Sequence, residues 1–121
     1  MAWTLWQYQN IVDDFFCECG VNIEAEMKWR LGELLKKGNL CGRPISAPVG
    51  HGTGLLEVRA RVGNLQPRML YFFQKGQKIV IVHAFIKESS AISQHDLEVA
   101  LRNKHAIEEG RERAHGADLT H

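Results

Sequence analysis

The sequence predicts a small α+β domain. Three observations carry this reading. Residues 54–87 hold three alternating apolar runs separated by turn clusters, which is the pattern of a strand meander. Apolar residues at helical spacing precede that stretch, and a capped helix follows it. At 121 residues the chain is long enough for one core and one domain, expected over residues 1–107.

In chain order, residues 3–8 read either as a strand, with Trp3 and Leu5 on one side, or as the lead-in to a helix. Val12, Phe15, Phe16 and Cys19 fit a short helical face that Gly20 ends. Asn22 is the expected N-cap of a second helix. Ile23, Met27, Leu31, Leu34 and Leu35 form its apolar stripe, and Gly38 stops it after Lys36 and Lys37. Residues 39–53 read as a loop rich in Gly and Pro. Its Gly50-His51-Gly52-Thr53-Gly54 run lacks the preceding strand and following Lys-Ser/Thr of a phosphate loop, so His51 reads as an exposed loop histidine. Beyond the meander, Ser93 caps a third helix with Asp96 as its capping-box partner, and Leu97, Ala100 and Leu101 give it a narrow apolar face. Residues 108–121 are polar and without period, and read as a flexible tail.

Strand alternation divides the meander into faces. A two-residue loop at Lys75-Gly76 pairs Phe72 with Ile79, Leu70 with Ile81 and Arg68 with His83. The first hairpin admits two registers, with either Arg59 or Arg61 opposite Arg68. In both, one face is apolar throughout. The other is apolar at one end and carries Arg59, Arg61, Arg68, His83 and Lys87 at the other. Like charges opposite one another on neighbouring strands are destabilising, so the cluster points to a polyanion, most naturally phosphate. The alternative is a solvated sheet end. Tyr71 falls on the apolar face and reads as core.

The composition, 45% hydrophobic and 24% charged, is that of a soluble globular protein. With a formal net charge of only +1, nucleic-acid affinity has to arise from local clustering. The chain has no apolar run of membrane-spanning length and no signal-peptide start, so a cytoplasmic protein without membrane attachment is expected. Cys17, Cys19 and Cys41 are an odd set and read as free thiols, small and buried. The C-x-C spacing does not match structural zinc sites, and no metal or cofactor is expected.

The blocks GLLEVRAR, PRMLYFF, KIVIVHAFIK and DLEVALR, in this order after an N-terminal helical pair, resemble the RelE/ParE toxin superfamily, most closely its phage-derived HigB-like branch. The resemblance spans roughly residues 12–104. It implies two N-terminal helices packed on a twisted antiparallel sheet of three to four strands, plus a C-terminal helix. It also implies the toxin of a type II toxin–antitoxin system, an endoribonuclease that cleaves messenger RNA on the ribosome and is silenced by a helix-turn-helix antitoxin. The ParE arm of the superfamily targets gyrase instead. Arg59 matches the recurrent arginine of the LEVRAR block, Arg68 the arginine before the aromatic run, and Lys87 the lysine of the F-x-K-K block.

Cleavage of RNA by its own 2′-OH needs a base, cations at the phosphate and an acid, but no metal. Arginine suits the phosphate because its fork engages two oxygens. Arg68 with Arg59 or Arg61 is therefore expected to hold phosphate. Lys87 serves as a phosphate ligand or base, and His83 as acid or base. Arg61 and Lys104 are expected to bind RNA outside the reacting group. Residues 88–92, Glu-Ser-Ser-Ala-Ile, depart from the more basic family pattern and set a carboxylate beside Lys87. That departure keeps two other readings open: a non-catalytic module on the same fold that binds protein or RNA, and a gyrase inhibitor.

Overall fold

A computed structural model describes residues 2–120. Ten elements follow one another: β1 (Thr4–Tyr8), α1 (Ile11–Glu18), α2 (Val21–Lys37), a 3₁₀ turn (Gly38–Leu40), β2 (Ser46–Pro48), β3 (Leu56–Arg59), β4 (Gln66–Gln74), β5 (Lys78–Lys87), α3 (Gln94–Glu108) and β6 (Ala114–Gly116). The fold is α+β, with three helices around a six-stranded mixed sheet of order β2-β3-β4-β5-β1-β6. The strand count exceeds the expected three to four. Residues 3–8 resolve as a strand, and β1 runs parallel to β5. Two short strands were hidden in segments read as irregular: β2 pairs with β3, and β6 pairs with β1. The region read as a polar tail from residue 108 thus closes one sheet edge, with Ala117 and Leu119 packed on the core.

Helices cover both sheet faces. Leu5, Met69, Tyr71, Ile79 and Ile81 meet Val12 of α1 and Met27, Leu31 and Leu34 of α2 on one face. Leu70, Phe72, Val80 and Val82 meet Ala100 and Ile107 of α3 on the other. The α2 stripe packs as its spacing predicts, but its N-cap is Gly20 at φ 87°, and Asn22 lies within the first turn. α1 is capped from outside the helix. Gln7 of β1, 1% exposed, accepts from the Val12 and Asp13 amides through Oε1 at 2.9 and 3.3 Å, which satisfies first-turn donors that Asn10 leaves free. Gly38 ends α2 at φ 55°, and a Cβ there would sit inside the Trp3 indole.

The register of the second hairpin differs from expectation. Its loop has three residues, Lys75, Gly76 and Gln77, with Gly76 at φ 88° and Gln77 at φ 55°. Phe72 therefore pairs with Val80, and Ile79 and Ile81 move to the α1/α2 face. A bulge then lies between the Leu70–His83 and Tyr71–Ile81 pairs, leaving Val82 unpaired. The buried Asn103 of α3 donates to the Val82 carbonyl at 2.9 Å. The extra residue reverses the phase once more. Arg68 faces Phe85 rather than His83, yet His83 lies opposite Leu70, two residues along β4 from Arg68 and on the same side.

Candidate functional site

The α3 layer covers the hairpin end of its face and leaves the opposite end to charged side chains. There β3 ends, β4 begins and β5 ends. Arg59 sits directly across from Arg68, one of the two registers expected for the first hairpin. Two adjoining clefts flank Arg59. One, of about 360 Å³, is lined by Arg43, Glu57, Arg59 and Lys87 beside apolar residues of the β2 segment and Leu97. The other, of about 270 Å³, is lined by Arg30, Arg59, Arg61, Gln66 and Arg68.

These cations are not equivalent. Arg68 is 3% exposed and already engaged: Nη1 donates to the carbonyls of Ala60 at 2.7 Å and Pro67 at 2.9 Å, and Nη2 donates to Gln66 Oε1 at 3.2 Å. Its Nε is buried without a hydrogen bond, 3.9 Å from Glu57 Oε1. Burial lowers its pKa, as do Arg59, Arg61 and Arg30, with Glu57 opposing. Arg59 is half-buried and Lys87 partly exposed, and both line the larger cleft. Lys87 Nζ donates only a long bond, 3.4 Å, to the Ser90 carbonyl. Burial holds its pKa below the ordinary lysine value, aided by Arg68 and Arg59 and opposed by Glu57.

Glu57 is the residue that charge-counting passed over. Two residues before Arg59 on the same strand, it shares this face, and the structure buries it, 8% exposed, with Oε1 3.3 Å from Arg59 Nε. It offsets the repulsion between Arg59 and Arg68 across the ladder. His83 also has a carboxylate partner. Its Nε2 lies 2.8 Å from Asp96 Oδ1, and its ring stacks on Phe85 at 5.0 Å. Burial raises the Asp96 pKa, but hydrogen bonds from His83 and Ser93 outweigh it, so the net shift is downward. An ionised Asp96 accepts at this contact, so Nε2 is the donor and Nδ1 lies outside it. Ser93 caps α3 as expected: its Oγ accepts from the Asp96 amide and donates to Asp96 Oδ2.

Lys104 does not join this cluster. It pairs with Glu108 at 2.9 Å and lies over the Phe72 ring, four residues along β4 from Arg68 and so roughly 13 Å away. Tyr71 is core as expected. Its hydroxyl is 2.6 Å from Ser46 Oγ, and burial pushes its pKa up to about 12. His51 is exposed in its loop. Cys17 is exposed, while Cys19 and Cys41 are half-buried with pKa values raised by burial, so the thiols are less enclosed than expected. Among the described residues no group of His, Cys, Asp or Glu converges to hold a metal ion, and no helix is long and apolar enough to cross a membrane.

The chain is a small α+β domain with cations lining one sheet end. Residues 14–105 match the family model "Phage derived protein Gp49-like (DUF891)". The chain belongs to this phage-derived Gp49-like family, which is RelE/toxin-like. A comparison with curated proteins finds no significant match.

Proposed function

We propose that this chain is the toxin of a type II toxin–antitoxin system, with a RelE-like fold of the HigB-like branch, acting in the cytoplasm as a metal-independent, ribosome-dependent messenger RNA endoribonuclease restrained by a helix-turn-helix antitoxin. The observation that carries the reading is the pair of cations, Arg59 and Lys87, lining one cleft; the carboxylate-bound His83 lies four residues back along β5 from Lys87 on the same strand. Arg59 holds the scissile phosphate through its fork. Lys87, its pKa lowered, binds phosphate or takes the 2′-OH proton. His83 acts through Nδ1. Arg68 is a positioning residue: it ties the residue after β3 to β4 and adds charge directly across the ladder from Arg59. The test is induced expression with mapping of transcript ends. Growth arrest with cleaved transcripts is expected, relieved by Arg59→Ala and by Lys87→Ala. Harmless expression of folded protein would sink the reading.

A second reading has its own support. Glu57 neutralises part of the cluster and Glu88 follows Lys87, so the cleft holds less net positive charge than its cations alone supply. A non-catalytic RNA-binding module would retain RNA affinity without cleavage, and the same experiment separates the two.

A further inference from the structure

The smaller cleft beside Arg59 contains no carboxylate in its lining. Arg30 reaches it from α2, Arg59 and Arg61 from the end of β3 and the residues after it, and Arg68 from β4. The acids nearest these groups lie outside: Glu26 holds Arg30 Nε at 3.0 Å and Glu57 holds Arg59 Nε at 3.3 Å. Arg61 is exposed and forms no ion pair among the described residues. Four guanidinium groups around about 270 Å³ repel one another, and that repulsion contributes to the lowered pKa of Arg68. An anion in the cleft would relieve it. Arg59 lines both clefts, so an anion here would neighbour one held at Arg59 and Lys87. Next to Arg30 is Trp29, 56% exposed, with the Arg30 guanidinium 5.7 Å from its ring centroid.

We propose that the cleft between Arg30, Arg59, Arg61 and Arg68 is a second phosphate subsite, which takes the phosphodiester next along a single RNA strand from the one held at Arg59 and Lys87. Trp29 supplies an exposed ring for the adjoining base. Aromatic faces beside a cationic track are the means by which single strands are held without sequence readout. An exposed ring next to the arginines favours a nucleic-acid strand over an acidic peptide, whose carboxylates need only the arginines. The inference rests on the larger cleft being an RNA site and extends it by one nucleotide.

The test is fluorescence anisotropy of a labelled oligouridylate across a salt series, using the whole chain and the variants Arg30→Gln, Arg61→Gln, Lys87→Gln and Lys36→Gln, each checked for folding by circular dichroism. Arg30→Gln and Arg61→Gln should each weaken binding. Together they should reduce the slope of log affinity against log salt by about 0.7, the share of one phosphate contact on a single strand. Lys36, exposed on α2 and paired with Glu33, is the control and should leave the slope unchanged. An equal change in Lys36→Gln would overturn the subsite in favour of a diffuse field. A change confined to Lys87→Gln would overturn the subsite and leave the larger cleft as an RNA site. A change in the arginine variants without one in Lys87→Gln would leave the smaller cleft as a lone anion site and overturn its place as the phosphate next to one held at Lys87. Absence of binding by the unsubstituted chain would overturn both.

Discussion

At the residue scale, Arg68 and Lys87 illustrate opposite uses of a cation. Arg68 looks catalytic by position, but it is 3% exposed, with Nη1 and Nη2 engaged by Ala60, Pro67 and Gln66. Replacing it with Ala removes a buried donor from the Ala60 carbonyl, so stability should fall by about 1–3 kcal/mol, contrary to what a sheet-end charge would suggest. Urea denaturation reads this directly, and an unchanged midpoint would refute the structural role. Lys87 makes only one long hydrogen bond, so Lys87→Ala should leave the midpoint nearly unchanged while cleavage drops on the order of a hundredfold. If Lys87 is the base, cleavage by the unsubstituted chain should rise with pH through an apparent pKa below the ordinary 10.5, because burial and neighbouring arginines favour its neutral form. A rate flat across that range would assign Lys87 to phosphate binding alone.

At the scale of elements, two joints fix helices to the sheet, one at each end. The first joins β5 to the start of α3, where Asp96 binds His83 and Ser93 together. The folded Asp96 pKa lies below the ordinary 3.8, so the joint contributes fully above that value and is lost as pH falls through the lower folded value. Denaturation midpoints should show this acid-sensitive component, and Asp96→Asn should remove it. Ser93→Ala should cost about 1 kcal/mol as a lost N-cap. The second joint is the end of α2 against β1. Gly38→Ala meets both a positive φ and the Trp3 ring, so a loss of about 3 kcal/mol or more is expected in thermal melts. A near-native melting temperature would mean that Trp3 can leave its place without cost. The hairpin bulge belongs to this scale too. Without the extra residue at Val82, the three-residue loop would turn His83 to the α1/α2 face.

At the scale of the molecule, the sheet is closed at one edge by β6, which pairs with β1. Limited proteolysis should therefore spare residues 114–119 under native conditions, whereas a flexible tail would be clipped quickly. Both faces are covered by helices, so the β3–β4–β5 end is where polar groups of the central strands meet solvent. The family match covers residues 14–105 and so includes this end, along with α2 and the latter part of α1. It leaves out β1 and β6, the two strands that lie beyond β5.

Periodicity by itself determined the three helices, the three central strands, the core placement of Tyr71 and the gathering of Arg59, Arg68 and Lys87 at one sheet end. These are local properties: side-chain alternation and helical spacing are written in neighbouring residues. The tertiary structure alone decided the rest. Strands as short as β2 and β6 carry no period and form only because a partner strand offers unpaired backbone groups. Residues 3–8 read equally as strand or helix until β5 supplied a parallel neighbour. The bulge at Val82 depends on Asn103, twenty-one residues away, to satisfy its carbonyl. The roles within the site depend on which donors are already spent. A sequence shows that an arginine is present, but only packing shows that Arg68 is buried with Nη1 given to backbone carbonyls while Arg59 and Lys87 line the larger cleft.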